Sequence, residues 1–297
     1  MRDEGRRLKI LSSFILLPSA LSSVHYLAIG HAAKDLMPEG HRLGGSVAYA
    51  ALTARALGCT PGLLTSCGDD LDLSPLGDIA RVRVPTESST IFENIYGPTG
   101  RTQFLRGRAT PLTPQHVPIE WLRAPLVHIA PLAGEIEAEM ITAFTGAFVG
   151  LTPQGWLRTW DDAGRVRPAL WPEALAVLPH TRAVVLSIED VGGDWELLEQ
   201  WAKAANVLVV TQGARGCSVF VKEKGLRQFA PPPQTEVDPT GAGDVFAAAF
   251  FIHLYETNDP WAAARLANHV AAISVTRPGL DGVPTPEEAG RARVKAE

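Results

Sequence analysis

An acidic side chain follows a turn of small residues in the segment Asp238-Pro-Thr-Gly-Ala-Gly-Asp244. The apolar residues after it, Val245 to Phe250, predict a buried helix that starts within this turn. A helix start leaves backbone N–H groups unpaired and carries a partial positive charge, so it binds anions. Gly241 and Gly243 would let an anion approach closely. Asp244 adds a proton acceptor beside that anion, which suits transfer of a phosphoryl group to an alcohol.

The same segment also has a purely structural interpretation. Asp and Gly are ordinary residues at helix starts, where a carboxylate can cap free N–H groups. No Gly-Lys-Ser/Thr sequence follows the turn, so it is not the phosphate-binding loop of P-loop proteins. The motif taken alone therefore leaves catalysis and helix capping both open.

Other polar segments follow stretches that predict buried strands. They contain Asp35, Thr152–Arg158, Ser187–Asp190 and Thr211–Gly216. Ligands of open α/β sheets bind beyond the carboxyl ends of the strands. We therefore expect these segments to lie along one edge of a sheet, although Gln154 and Arg158 are equally compatible with a surface loop.

The elements that must position these residues alternate along the chain. Alternation of apolar strands with helices predicts an α/β fold, in which a mostly parallel sheet is covered by helices on both faces. Predicted strands are Val24–Gly30, Pro61–Ser66, Leu126–Ala130, Phe148–Leu151, Ala183–Ile188 and Val207–Thr211, with a late hairpin at Cys217–Lys222 and Gln228–Ala230. Predicted helices are Ser46–Leu57, Glu135–Phe144, Pro172–Leu178, Asp194–Ala205, Gly241–Tyr255 and Pro260–Val275.

Residues 80–109 have a different pattern from the rest of the chain. Arg81–Val84, Ser89–Tyr96 and Thr102–Arg106 are short, rich in β-forming residues and partly alternating. Turn residues separate them. Alternation indicates strands with one covered and one solvated face. We therefore predict a small antiparallel sheet, inserted at about residues 80–109, that projects as a lid over a cleft.

Composition excludes several classes of protein. The 297 residues are 46% hydrophobic, which suits one large α/β domain. The net charge of −5 gives no basic surface for nucleic acid. Cys59, Cys67 and Cys217 are too few and too irregularly spaced for a disulfide framework or a zinc site, which favours a reducing compartment.

The segment 238–250 closely resembles the C-terminal signature of the ribokinase-like (PfkB) family of carbohydrate and nucleoside kinases, and the resemblance covers about residues 24–283. It implies a three-layer α/β/α sandwich with a projecting β-sheet lid. It further implies ATP-dependent phosphorylation of a hydroxyl on a small sugar, an inositol-like polyol or a nucleoside. Asp244 would be the catalytic base, and the amides of Gly241, Ala242 and Gly243 would form the anion hole.

The nucleotide site is implied by two further segments. Thr211, Gly213 and Gly216 match the family's T-x-G-x-x-G turn along the ATP phosphates. Asn268 matches the stretch beside adenine, with an exposed helix asparagine as the alternative.

A divalent-ion site is implied by a third segment. Family members often carry Asn-x-x-Glu for Mg²⁺ and phosphate positioning, whereas this chain has Ser187 and Asp190 at those places. Glu189 or Asp190 would hold Mg²⁺ through water, and Ser187 would lie on the nucleotide side. The altered stretch also motivates an alternative function, a non-catalytic nucleotide or sugar sensor on the same fold.

A monovalent-cation site is implied in the same way. The resembling positions, several of which would act through backbone carbonyls, are Asp238, Thr240, Ser274, Arg277, Gly279 and Gly282. The resemblance therefore implies that K⁺ orders the anion hole.

The acceptor pocket is implied by residues near the N-terminal end. Asp35 matches a carboxylate that hydrogen-bonds acceptor hydroxyls, and Gly44 and Gly45 match a di-glycine that lets the backbone approach the substrate. Tyr49 stands where ribokinases have Asn, which leaves polyol and nucleoside acceptors open beside a sugar. Relatives also pair their lid sheets, which implies a homodimer.

Residues 1–23 resemble a secretory signal, with a basic start and an apolar stretch at 10–21. Asp3 and Glu4 argue against that interpretation, and the apolar stretch is too short to span a membrane. Since a kinase needs ATP, we predict a cytoplasmic protein with a poorly packed extension at 1–23 and a kinase domain at 24–297. An exported binding protein is the alternative.

Overall fold

The structure is a computed structural model that describes residues 24–97 and 100–296, so the extension predicted at 1–23 lies outside the described residues. The described residues form fifteen strands: Tyr26–Ile29 (β1), Ala33–Met37 (β2), Gly40–Gly44 (β3), Pro61–Ser66 (β4), Ala80–Val84 (β5), Thr90–Gly97 (β6), Gly100–Gly107 (β7), Leu126–Ile129 (β8), Phe148–Leu151 (β9), Arg158–Trp160 (β10), Val166–Pro168 (β11), Ala183–Ser187 (β12), Val207–Thr211 (β13), Cys217–Val221 (β14) and Gly225–Phe229 (β15). The helices are Ser46–Ala56 (α1), Glu139–Thr142 (α2), Ala174–Val177 (α3), Trp195–Ala204 (α4), Ala242–Thr257 (α5), Pro260–Ser274 (α6) and Pro286–Ala296 (α7).

A nine-stranded sheet forms the centre of the molecule, in the order β15-β14-β13-β12-β9-β8-β1-β4-β5. Strands β13 to β5 in this order are parallel, and β14 and β15 add an antiparallel edge. One apolar cluster joins one sheet face to α1, α5, α6 and α7, and a second joins the other face to α2, α3 and α4. The predicted α/β sandwich with helices on both faces is therefore confirmed.

The lid is a separate four-stranded sheet in the order β3-β2-β6-β7. The predicted start of the lid at residue 80 is wrong, because β5 pairs with β4 at the edge of the central sheet. The side chains of β5 are alternately buried and half-buried, as expected of an edge strand that is covered on one face. Strands β2 and β3, which directly follow β1, complete the lid instead.

Two predicted helices are shorter than expected. In the segment 135–144 only α2 is helical, because the buried Glu135 carboxylate accepts hydrogen bonds from the backbone N–H groups of Leu132 and Ala133. This closes a turn before the helix. The segment 172–178 likewise contains only the single turn α3. The hairpin β10–β11 and the helix α7 were not predicted.

Helix α5 lies in the interior, packed between α1 and α6. Its residues Val245 to Ile252 are all buried, and the run Ala247–Ala249 lets neighbouring helices approach closely. The polar start of α5 is consequently held at a defined place beside the central sheet. None of the helices in residues 24–97 and 100–296 is both long and apolar enough to cross a membrane.

Candidate active site

Gly241 forms the N-cap of α5 in a left-handed conformation, with φ of 80°. A Cβ atom at this position would lie 2.2 Å from Cε1 of Tyr49, so both the backbone and the space require glycine. The N–H of Ala242 donates to the carbonyl of Pro239 at 3.2 Å and is used within the turn. Gly243 is exposed at the same helix start. Of the three predicted anion-hole residues, Gly243 is therefore placed best to meet a ligand with its amide.

Asp244 lies in the first turn of α5 and is partly buried. Desolvation in the site raises the pKa of this carboxyl to about 6, and the nearby carboxylates of Asp190 and Asp35 also raise it. A hydrogen bond with the side chain of Ser46 and the charge of Arg158 act in the opposite direction. A carboxylate with this pKa is a stronger base than a free aspartate, yet it is still largely ionised at neutral pH.

Three charged neighbours of Asp244 come from three separate parts of the chain. Asp35 lies on β2 of the lid, Arg158 begins β10 after strand β9, and Asp190 follows β12. The structure therefore brings three of the polar residues that follow predicted strands together around the start of α5. This is the edge of the sheet at which α/β folds bind ligands.

The di-glycine segment makes room for a carboxylate at the junction of lid and body. A Cβ atom at Gly44 would lie 2.1 Å from Oδ2 of Asp35, which is itself buried. Gly45 has φ of 89°, and a Cβ atom there would lie 2.5 Å from the carbonyl oxygen of His31. Both glycines are thus needed for the local packing that holds Asp35 beside the N-terminus of α1.

Tyr49 carries an unusual hydroxyl group. The side chain is buried, and no described residue forms a hydrogen bond with the hydroxyl. Burial raises the pKa of this phenol, and Arg42, Asp35 and Asp244 are among the charged groups that act on it. A buried hydroxyl without a partner is costly, so a ligand hydroxyl that reached it would stabilise it.

The stretch after β12 folds as a closed turn. The Asp190 carboxylate accepts from the N–H of Ser187 at 2.9 Å and from Nε2 of Gln154 at 3.2 Å. The hydroxyl of Ser187 accepts from the N–H of Glu189, whose side chain is exposed. Within residues 24–97 and 100–296, no three His, Cys, Asp or Glu side chains are grouped to hold a metal directly. The two carboxylates fit Mg²⁺ held through water and donor phosphates.

The turn after β13 contains two glycines, Gly213 and Gly216, that have different surroundings. Gly213 begins a short 3₁₀ turn with φ of 59°, and a Cβ atom there would meet nothing within 4 Å. Gly216 has φ of 89°, and its Cβ would collide with the carbonyl of Phe229. Thr211 donates from Oγ1 to the carbonyl of Leu186 at 3.3 Å. Gly213 is therefore open to a ligand, whereas Gly216 permits close packing of the hairpin.

Asn268 is buried in α6, so the alternative of an exposed helix residue is wrong. Its Nδ2 donates to the carbonyl of Phe229 at 3.1 Å. Phe229 stacks on Trp261, and the guanidinium of Arg227 lies 4.6 Å from the centre of the Trp261 ring. Sequence reasoning missed this aromatic group, since its members are far apart in the chain. The placement of adenine beside Asn268 stays a prediction.

The residues expected to bind K⁺ lie close together, but the side chains of Asp238 and Thr240 already bind the guanidinium of Arg42. The Asp238 carboxylate accepts from Nη1 of Arg42 at 2.9 Å and from the N–H of Gly279 at 3.0 Å through one oxygen. Its other oxygen accepts from the N–H of Thr240 at 2.9 Å. The Thr240 hydroxyl lies 3.2 Å from Nη2 of Arg42. Sequence reasoning did not identify Arg42.

The remaining members of the expected K⁺ set include a second guanidinium, that of Arg277. A Cβ atom at Gly282 would lie 2.3 Å from the carbonyl oxygen of Ser274, so these two backbones are in contact. Arg277 donates to the carbonyl of Gly282 at 3.4 Å and pairs with Glu288 at 2.9 Å. Guanidinium donors therefore occupy the Asp238 carboxylate and the Gly282 carbonyl, which are two of the oxygens expected to bind K⁺. The side chains as formed here do not fit K⁺.

Comparisons with known proteins agree with this geometry. Residues 172–287, which include the Asp244 motif, match the family described as pfkB family carbohydrate kinase. The cytidine kinase of Thermococcus kodakarensis is 29% identical over 246 residues, which are 75% of this chain and 86% of the relative.

Solved structures show the same fold. One is a pyrophosphate-dependent kinase in the ribokinase family, complexed with a pyrophosphate analogue and myo-inositol. It has a TM-score of 0.76 and 21% identity, with 89% of this chain and 99% of the other covered. The Arabidopsis thaliana ribokinase complexed with ribose and ATP has a TM-score of 0.71 and 17% identity, with 91% and 99% covered. Residues 172–287 thus match this family of carbohydrate kinases, and the chain shares the fold of the ribokinase family.

Proposed function

We propose that this protein is a kinase that transfers the terminal phosphoryl group of ATP to a hydroxyl of a small sugar, polyol or nucleoside. One observation carries the proposal: Asp244, with a pKa raised to about 6, lies in the first turn of a helix whose N-cap must be glycine. A carboxylate that only capped the helix would gain from a lowered pKa, because the helix start favours the ionised form. The raised pKa instead suits a proton acceptor.

The positions of the residues support the following steps. Asp35 and the hydroxyl of Tyr49 orient the acceptor, and Asp244 accepts the proton of its hydroxyl as the oxygen attacks the terminal phosphorus. The bond from this phosphorus to the bridging oxygen breaks, and the leaving diphosphate keeps the electron pair. The amide of Gly243 and the charge of Arg158 stabilise the transferring group. Mg²⁺, which Asp190 and Glu189 would hold through water, supplies charge neutralisation when it is bound.

The donor and the acceptor class rest on different support. The family is one of kinases, and one structural relative is complexed with ATP, whereas another is pyrophosphate-dependent. The Gly213 turn offers an open backbone for phosphates, and the Phe229–Trp261 pair offers an aromatic surface near Asn268. We therefore rank ATP above pyrophosphate. Use of ATP also motivates the proposal of a cytoplasmic location.

The decisive experiment compares two aspartates at helix starts. Purified protein is assayed with ATP or pyrophosphate against a panel of ribose, fructose, myo-inositol and nucleosides, and release of ADP or phosphate is measured. Asp244→Asn should lower kcat by about 10²–10⁴-fold while ATP still binds. The control is Asp259→Asn, since Asp259 caps α6 through the N–H groups of Trp261 and Ala262. This control should keep near-normal kcat.

Other outcomes of the panel identify other functions. ATP binding without turnover of any acceptor would favour the non-catalytic sensor. Turnover with pyrophosphate alone would replace ATP as the donor. Near-normal kcat in Asp244→Asn would contradict the proposed base.

Pairing of two subunits is a separate proposal. Strand β3 forms one edge of the lid sheet, and a strand edge of this kind can add strands from a second chain. The other edge, β7, is partly covered by residues 164–165. We propose a homodimer through the lid, which light scattering would test. A monomeric mass at assay concentration would contradict it.

A further inference from the structure

The loop that precedes the start of α5 has a positive charge supplied by the protein itself. We propose that Arg42 is the resident cation of this loop and takes the place of a bound monovalent ion, so that the enzyme works without K⁺. This inference rests on the proposed kinase function where activity is measured, but the cation site itself is independent of turnover.

The contacts of Arg42 are those of a cation that orders a loop. Nη1 donates to Asp238 at 2.9 Å, and Nη2 donates to Thr240 at 3.2 Å. These partners are 196 and 198 residues away from Arg42 in the chain. Asp238 also accepts from the N–H groups of Thr240 and Gly279. Residues 238–240 are thereby fixed directly before Gly241, whose turn starts α5. A planar guanidinium with several donors suits this bridging role.

The charges around Arg42 support the same conclusion. Burial alone would raise the pKa of Asp238, but hydrogen bonds from Thr240, Gly279 and Arg42 lower it below its ordinary value. Burial lowers the pKa of Arg42, but the hydrogen bond to Asp238 and the carboxylates of Asp238 and Asp35 raise it above its ordinary value. The side chains of Arg42 and Asp238 are only 27% and 17% exposed, so solvent ions compete weakly for this pair.

The origin of Arg42 adds a consequence that a free ion would not have. Arg42 belongs to β3 in the lid, directly across the ladder from Asp35 in β2. The residue therefore ties the strand pair that carries the acceptor carboxylate to the loop before the anion-binding helix start. Arg42 is a positioning residue in this account, since it acts through Asp238 and Thr240.

The first test uses the unmodified protein. Thermal unfolding without substrates, and initial rates with substrates, are measured in KCl and in N-methyl-D-glucamine chloride at matched ionic strength. We expect equal melting temperatures and rates that agree within about twofold. A melting temperature raised by K⁺ specifically, or a rate raised about tenfold by K⁺, would overturn the proposal.

The second test removes the guanidinium. Arg42→Met leaves the oxygens of Asp238 and Thr240 without their cation, so K⁺ should raise both the melting temperature and a kcat that has fallen about tenfold. The matched control is Arg83→Met. Arg83 lies in β5, is 25% exposed and pairs at 2.5 Å with Asp69 instead of Asp238. The melting temperature of Arg83→Met should not respond to K⁺.

Each outcome supports or contradicts the role of Arg42 as the resident cation. Arg42→Met with wild-type kcat and no response to K⁺ would overturn the proposal, whereas Arg42→Lys should retain part of the wild-type behaviour because a charge remains. If Arg42→Met does not fold, the wild-type comparison still decides. Failure of the kinase assignment would look different: no acceptor would turn over in any salt, while the melting temperatures would still follow the expected pattern.

Discussion

The ring of Tyr49 packs against the backbone of Gly241, at a distance that leaves no space for a Cβ atom. This contact joins α1, which follows the di-glycine, to the start of α5, which carries Asp244. The proposed acceptor side and the proposed donor side are thereby held in one packing unit. Positions 241 and 243 consequently differ in what they tolerate, although both are glycines of one motif.

Gly241→Ala should destabilise the protein by about 1–3 kcal/mol, because alanine at φ of 80° is strained and would also collide with Tyr49. Gly243→Ala is the control, since a Cβ atom there meets nothing within 4 Å. That variant should fold with unchanged or higher stability, while its methyl group obstructs the donor phosphate and raises the KM for ATP. Chemical denaturation measures the first effect, and equal stability of both variants would contradict it.

The rate should follow the ionisation of Asp244. Because the ionised carboxylate is the base, kcat/KM should fall as the pH drops through about 6. Ser46→Ala removes a hydrogen bond that lowers this pKa, so its acid limb should move to higher pH. Ser74→Ala, at an exposed serine, is the control and should keep the wild-type profile. A profile that is flat between pH 5 and pH 8 would remove Asp244 from the role of base.

Asp244→Asn should also stabilise the fold at neutral pH. The pKa of Asp244 is about 6 in the folded state against 3.8 for the ordinary group, so its ionisation opposes folding as the pH rises between these values. The full difference corresponds to about 3 kcal/mol, and partial exposure reduces it to about 1 kcal/mol. The gain should be present at pH 7 and above, and absent near pH 4. A variant less stable than wild type at pH 8 would contradict this.

The central sheet was predictable from local patterns because its inner strands are mostly apolar and buried on both faces, as in Val207–Thr211. The lid strands β2 and β3 were not predictable in this way. They contain Lys34, Asp35 and Arg42, so their sequences show no apolar alternation, and two of these residues form ion pairs. Strand β5 was assigned to the lid because an edge strand of the large sheet alternates like a lid strand.

Some residues of the candidate site were likewise predictable from the sequence, and others were not. The glycine N-cap at Gly241 and the acid Asp244 in the first turn of α5 were predictable because a helix start is formed by adjacent residues. Arg42 was not, because its partner Asp238 is 196 residues away, and the ion pair depends on how the lid docks. The buried position of Asn268 was equally hidden, since it depends on the hairpin that ends at Phe229.

Asp35→Asn should impair recognition of the acceptor rather than of the donor. The carboxylate is 8% exposed and accommodated by Gly44, so asparagine fits the space but loses the charge that accepts strong hydrogen bonds from acceptor hydroxyls. We expect the KM for the acceptor to rise about 10–100-fold with the KM for ATP unchanged. Asp69→Asn, at an exposed aspartate, is the control. An unchanged acceptor KM in Asp35→Asn would place the acceptor elsewhere, whereas a rise in both KM values would indicate that the lid itself has moved.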